Sequence, residues 1–460
     1  MSTWQPKLST TLSTPIYRRL VEAMSADIES GRLAPGERLP PQRDLARLLS
    51  ISVGAVTRAY DKAARRGLVS AHVGRGTFVV DRLRDDAALD GEVDLSINTA
   101  PIVAVDALVG TIAALRRTTS WAVRLGYQPP CGLEVDRRAG AAWLTRMAGF
   151  NDLDWNTLIC CSGAQNAMAI AFAALCKPGD TILCEAVTFS GAKSLAQQQG
   201  YMLHGVEMDA QGARPQSLDR AAVATGARVF YTLPTLQNPT ARTMGHERRA
   251  DIAKVARARG LWIVEDDVYA PYARHLDLSP IAALAPERTL YISSLSKILS
   301  PGFRSGFLVV PSGEVFDRCV RAIRAYMHSP GGISAAIATD WIESGQADDL
   351  ARVVCAETSA RTALALSVLN GIVDEPQTAM SLHLWLPMSQ IDAERAAARA
   401  LVAGVRLTSH QAFAVLNDKM ASGLRLCVGS AANYATLERA LICLRGSLQG
   451  EVDDRMRASL

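Results

Sequence analysis

The sequence has no run of about 18 uncharged apolar residues, the length a helix needs to cross a bilayer, so no membrane span is expected. It has no Cys-x-x-Cys pair either. Nine cysteines, an odd number, are scattered at positions 131, 160, 161, 176, 184, 319, 355, 427 and 443. Several sit in apolar runs: Cys160 and Cys161 follow Leu158 and Ile159, and Cys427 lies between Leu426 and Val428. That excludes a disulfide scaffold and fits reduced thiols in a cytoplasmic protein. The seven histidines, at 72, 204, 246, 275, 328, 383 and 410, are too far apart for metal-ligand spacing, so no metal site is expected. The N-terminal stretch MSTWQPKLSTTLSTPIYRRL lacks the apolar core of a signal peptide. Internal repeats and low-complexity tracts are also missing.

What is present is a chain of 460 residues, 49% hydrophobic and 20% charged, enough for two to four compact units with sizeable cores. The net charge is only +4, but it is unevenly placed. Residues 1–82 hold 13 Lys and Arg against 7 Asp and Glu, whereas residues 83–460 hold 36 against 38. A basic head before a nearly neutral body makes nucleic acid the first partner to test, a solvated basic face being the alternative. The charged stretch LRDDAALDGE at 83–92 reads as a short linker, which divides the chain into 1–82, 83–92 and 93–460.

In the head, Thr14 as cap with Pro15 at the first helical position opens a helix. Ile16, Leu20, Met24 and Ile28 recur every four residues along it, and Gly31 ends it. A second helix starts near Pro41 and is expected to bury Leu45, Leu48 and Leu49. After a short turn a third begins at Ser52 as N-cap and buries Val56, Tyr60 and Ala63. This is a helix-turn-helix pattern. Leu68-Val69-Ser70, Gly74-Arg75-Gly76-Thr77 and Phe78-Val79-Val80 then form a hairpin, a wing with Arg75 at its tip. The run LAPGERLPPQRDLARLLSISVGAVTRAYDKAARRGLV with GRGTFV resembles the winged helix-turn-helix of GntR-type bacterial repressors over most of residues 14–80. The resemblance implies binding to a double-stranded DNA operator through Arg43, Ser52, Arg58, Lys62 and Arg75. One departure stands out: where the family usually reads Ser-Arg-x-Thr, this chain has Ser52-Val53-Gly54-Ala55.

In the body, apolar runs (157–161, 181–184, 228–232, 261–265 and 289–292) alternate with helical patterns (164–176, 190–200 and 246–259). Runs buried on both faces and separated by helices indicate a doubly wound α/β architecture. Five short motifs follow in order: Ser162-Gly163-Ala164-Gln165 opening a helix, Asn238-Pro239-Thr240, Glu265-Asp266-Asp267-Val268-Tyr269, Ser294-Leu295-Ser296-Lys297 followed by Arg304, and Gly423-Leu424-Arg425-Leu426. Together they resemble fold-type I pyridoxal-phosphate enzymes, the aspartate-aminotransferase-like fold with a large doubly wound lobe and a small α+β lobe.

The resemblance implies pyridoxal 5'-phosphate as cofactor, with Lys297 forming its Schiff base. Asp266 would keep the pyridine nitrogen protonated, and Tyr269 and Asn238 would bond the ring oxygen. Ser294, Ser296, Arg304, Gly163, Ala164 and Gln165 would cradle the phosphate, a role a helix N-terminus suits. Phe189 would stack on the ring, Tyr127 would reach the partner subunit's phosphate, and Arg425 would grip a substrate carboxylate. Asp267 is expected to be structural or exposed. Ala241 stands where the motif usually continues with Gly, and Asp136-Arg137 where Leu-Arg is expected.

A GntR-type winged helix fused to an aminotransferase-like body resembles the MocR-type regulators. That implies a homodimeric, cytoplasmic, DNA-binding regulator that senses pyridoxal phosphate or a small amino effector. The alternative from another class is a working aminotransferase that keeps a DNA-binding head.

Overall fold

The structure, a computed structural model, describes the chain apart from residues 1–3, 7–14, 31, 35, 66–67, 73–75, 80–91, 104, 119, 416–421 and 450–460. The chain divides into two units, Met1–Gly91 and Glu92–Leu460.

The first unit holds helices α1 (Ile16–Glu29), α2 (Gln42–Leu48) and α3 (Val53–Arg65), then strands β1 (Val69–His72) and β2 (Gly76–Val79), paired antiparallel. Leu20, Met24, Leu45, Val56, Tyr60 and Ala63 share its core with Val69 and Val79. Pro15 itself takes the cap position of α1, with extended ψ, so the helix starts one residue later than the Thr14–Pro15 reading; Thr14 and Gly31 lie outside the described residues. Leu48 is 50% exposed rather than buried: α2 is only two turns long, and its last turn faces outward while Leu45 and Ala46 face in. Ser52 caps α3 as expected, its Oγ accepting from the Ala55 amide at 3.2 Å.

In the second unit the strands are, in chain order, β3 (Val93–Asp94), β4 (Leu158–Cys161), β5 (Thr181–Glu185), β6 (Met202–Val206), the hairpin pair β7 (Met208–Asp209) and β8 (Gly212–Ala213), β9 (Val229–Thr232), β10 (Trp262–Asp266), β11 (Thr289–Ser294), β12 (Gly306–Val309), β13 (His383–Pro387), β14 (Val405–Arg406) and β15 (Gly423–Cys427). Seven form one sheet in the order β4-β12-β11-β10-β9-β5-β6. Strand β12 runs antiparallel to both neighbours, and the other pairs from β11 to β6 are parallel. Strands β4, β9, β11 and β12 are buried along their whole length, as expected of a sheet covered by helices on both faces. A smaller lobe pairs β13 with β15 and β14 with β3 around its own core, which includes Leu384, Leu424 and Leu441.

Strand β3 brings the chain from residue 92 into this lobe beside β14, and the following residues, 95–100, run on without regular structure. Leu95 is bonded on both sides, its amide to the Arg406 carbonyl and its carbonyl to the Cys427 amide. This fastening carries the stretch 96–99 toward the carboxyl ends of β10 and β11, the edge at which open α/β sheets bind ligands.

Candidate functional site

At that edge is a cavity of about 210 Å³ lined by Ala164, Gln165, Phe189, Asn238, Asp266, Tyr269, Ser294, Ser296, Lys297 and Arg304, with Leu233, Val268 and Pro301. Each comes from an element end. Asp266 closes β10 and Ser294 closes β11, while Ala164 opens a 12-residue helix whose cap, Gly163, has φ +85. A Cβ on Gly163 would lie 2.9 Å from the Arg304 guanidinium, and the positive φ itself favours glycine there. Arg304 Nη2 donates to the Ser162 carbonyl at 3.2 Å. Ser294 Oγ bonds Ser296 Oγ at 2.9 Å and accepts from the Ser296 amide at 3.1 Å. Gln165 is tied to the Gly191 carbonyl at 3.0 Å, and Phe189 is half-buried.

Lys297 is half-buried, and the loss of solvent around its amine pulls it down to about 8. Its Nζ donates to the main-chain carbonyl of Asn98. Asp266 is pushed up to about 6, chiefly by burial and against the pull of the Tyr231 hydroxyl, which donates to Oδ2 at 2.7 Å. Its Oδ1 is buried and has no hydrogen-bond partner among the described residues. A buried acceptor left open is costly, and a ring N–H would fill it. The residues present therefore fit pyridoxal phosphate: an amine of lowered basicity, a carboxylate with one free oxygen, an aromatic face and an anion cradle.

Arg425, on β15, is buried in the small lobe. Its guanidinium donates to Asn238 Oδ1 at 2.8 Å, to the Ser96 carbonyl at 2.6 Å and to Thr408 Oγ1 at 3.2 Å, and lies 4.8 Å over the Phe413 ring. Its Nε is left without a partner among the described residues. Asn98, Ser96, Thr408, Tyr231 and His383 are the site residues that the motif reading missed. They carry no local pattern and are brought in by strand pairing. Asp267 is buried and structural, accepting from Tyr291 at 3.3 Å; the exposed alternative does not hold. Ala241 takes φ +57, the left-handed region its usual glycine would suit. Tyr127 is not at the cavity: it is 89% exposed, edge-on to His328 at 4.7 Å. The Asp136-Arg137 departure is built into the fold. Asp136 is buried between Arg124 at 2.6 Å and Thr339 at 2.6 Å, and Arg137 donates to the Leu158 carbonyl at 2.7 Å.

In the first unit, Arg43, Ser52, Val53, Gly54 and Arg58 are exposed. Arg58 Nε donates to the Gly54 carbonyl at 3.2 Å, and Lys62 lies 5.5 Å from the Tyr17 ring. Val53 is 44% exposed, whereas Ala55 is buried in the head core, so of the two apolar replacements only Val53 is available for a groove. Arg75 lies outside the described residues.

Comparison with known families matches residues 92–442 to aminotransferase class I and II and residues 16–79 to the bacterial regulatory proteins of the gntR family. The chain belongs to the aminotransferase class I and II family. Its head is a GntR helix-turn-helix, which makes the whole a MocR-type architecture. The family is one of pyridoxal-phosphate-dependent proteins. Among relatives, the chain is 27% identical over 451 residues to the uncharacterised HTH-type transcriptional regulator YdeF of Bacillus subtilis, covering 96% of each chain. It is 25% identical to the HTH-type pyridoxine biosynthesis transcriptional regulator PdxR of Corynebacterium glutamicum, over 72% of this chain and 74% of that one. The body shares its fold with the kynurenine aminotransferase of Pyrococcus horikoshii, at a TM-score of 0.71 and 21% identity, over 81% of this chain and 94% of that one.

Proposed function

We propose that this protein is a cytoplasmic, homodimeric DNA-binding transcriptional regulator whose body holds pyridoxal phosphate on Lys297 and responds to the cofactor or to an amino compound. The observation that carries the reading is the cavity lined by both a half-buried lysine of lowered basicity and a carboxylate with one unfilled acceptor, in a chain that carries a GntR head. When bound, the cofactor supplies an aldehyde that captures amines and a ring that withdraws electrons. The chain's own residues do the rest. Lys297 offers the amine, and Asp266 Oδ1 accepts the ring N–H and holds that proton in place. Ser294, Ser296, Arg304 and the amides at Ala164 and Gln165 neutralise the phosphate. Arg425 receives an effector carboxylate. In the head, Arg43, Ser52, Arg58, Lys62 and Arg75 contact an operator, Ser52 while serving as the α3 cap. The exposed Tyr127 suits a role toward the second subunit. Short operator half-sites would suit two winged heads.

The test follows visible absorbance and operator binding together as candidate amino acids are added to purified protein. A Lys297-dependent band whose change alters DNA affinity supports the reading. A band that Lys297→Ala leaves intact sinks it. The buried Arg425 beside Asn238 favours a second reading, an aminotransferase that turns over. Rapid keto-acid production without DNA affinity would decide for that reading.

A further inference from the structure

Tyr269 is enclosed by two asparagine amides and, behind one of them, a histidine. Its oxygen lies 2.9 Å from Asn98 Nδ2 and 3.5 Å from Asn238 Nδ2. A third group decides which end of each amide faces the tyrosine. Arg425 has only donors, so the Asn238 atom it reaches at 2.8 Å must be the carbonyl Oδ1, which leaves Nδ2 for Tyr269. For Asn98 the deciding group is a main-chain carbonyl two steps away. His383 Nε2 lies 3.1 Å from the Gln237 carbonyl, an acceptor, and must therefore carry the proton. His383 is fully buried, faces Arg425 and Lys297, and is held neutral, its pKa pulled down to about 3 mainly by that burial. Its Nδ1 is then a bare acceptor, so the Asn98 atom 3.0 Å from it is the donor Nδ2. Both neighbours of the Tyr269 oxygen are thus donors. The charged or ionisable groups facing Tyr269 are Arg425, Asp266, Cys427, Tyr231, Tyr272 and the neutral His383, and burial keeps the hydroxyl protonated. Both amides turn donors toward the Tyr269 oxygen, Asn98 Oδ1 being buried with no partner among the described residues, so the hydroxyl hydrogen is left to the cavity that Tyr269 lines.

We propose that Asn98 and His383 are positioning residues that fix the direction of the Tyr269 O–H and so aim its proton at the ring oxygen of bound pyridoxal phosphate. The Asn98 main chain separately holds Lys297 through its carbonyl, and a side-chain substitution leaves that contact available. The proposal rests on the cofactor reading above. It differs from that reading in its object: it concerns how one proton is oriented, not whether the cofactor is held.

The test titrates the visible band of the full-length, cofactor-loaded protein against pH and measures cofactor affinity in parallel. A donated proton stabilises the negative ring oxygen and lowers the pH midpoint of the band. Asn98→Ala should raise that midpoint by about 0.5–1 pH unit and weaken cofactor binding about five- to tenfold, the scale of one hydrogen bond. Asn98→Asp should raise it further, because a carboxylate accepts from Tyr269 and turns the proton away. In a Tyr269→Phe background, Asn98→Ala should add nothing. His383→Phe, an independent route to the same amide, should shift the midpoint in the same direction. No shift in any of these variants overturns the proposal, as does an equal shift from Asn98→Ala with and without the Tyr269 hydroxyl. A wild-type protein with no Lys297-dependent band would instead overturn the cofactor reading, and the positioning role with it.

Discussion

Lys297 shows at the scale of one side chain what burial does to chemistry. Without its surroundings the amine would be almost wholly charged at neutral pH; near 8, about a tenth of it is neutral at pH 7. Only the neutral amine attacks an aldehyde. Capture of pyridoxal phosphate by cofactor-free protein should therefore speed up with rising pH and level off above about 8. Stopped-flow absorbance would check this, and a rate still climbing at pH 10 would contradict it. Arg425 yields a separate expectation. Arg425→Gln should leave the cofactor band in place while lowering the affinity for carboxylate-bearing effectors by about tenfold to a hundredfold, the worth of a charged hydrogen-bonded pair. A spectral titration against amino acids measures both quantities.

At the scale of elements, legibility followed burial. The runs that became β4, β5, β9, β10 and β11 could be read to within two residues because they are apolar on both faces and bounded by helices. Lys297, Asp266 and Tyr269 could be read because their motifs occur in one order at fixed element ends. The expected burial of Leu48 fails because helical periodicity marks a stripe but cannot say where a two-turn helix leaves the core. Asn98, His383 and Tyr231 were invisible because a lone polar residue gains meaning only from partners distant in sequence, as Asn98 does from Tyr269, 171 residues away.

Val53 stands exposed at the start of α3, so Val53→Arg should tighten non-specific DNA binding and steepen its salt dependence by about one counterion. A salt series of binding isotherms would show it, and an unchanged slope would mean that the position points away from DNA. Gly332 opens a helix so close to the segment Trp121–Leu125 that a Cβ would lie 2.1 Å from the Arg124 carbonyl oxygen. Gly332→Ala should cost about 1–3 kcal/mol in denaturant unfolding through forced backbone shifts.

At the scale of the whole molecule, a ligand that binds only the folded body stabilises it by mass action. Cofactor at a hundred times its dissociation constant should add about 2.7 kcal/mol, and the melting temperature should rise with cofactor concentration. Lys297→Ala should blunt that rise, and scanning calorimetry of both proteins tests it.

The stretch from Ser96 to Asn98 has a consequence that is mechanical rather than chemical. Its carbonyls restrain the two cations that the proposed ligands would recruit, Arg425 through Ser96 and Lys297 through Asn98. A cofactor that takes the amine and an effector that takes the guanidinium each remove one peg from the same short cord. In sequence, that cord begins a few residues past the boundary between the two units. Withdrawal of the Ser96 peg should therefore appear as slack: amide hydrogen exchange at Ser96 and Ile97 should quicken when a carboxylate-bearing effector takes Arg425, while the Asn98 side chain stays fastened to Tyr269 and His383.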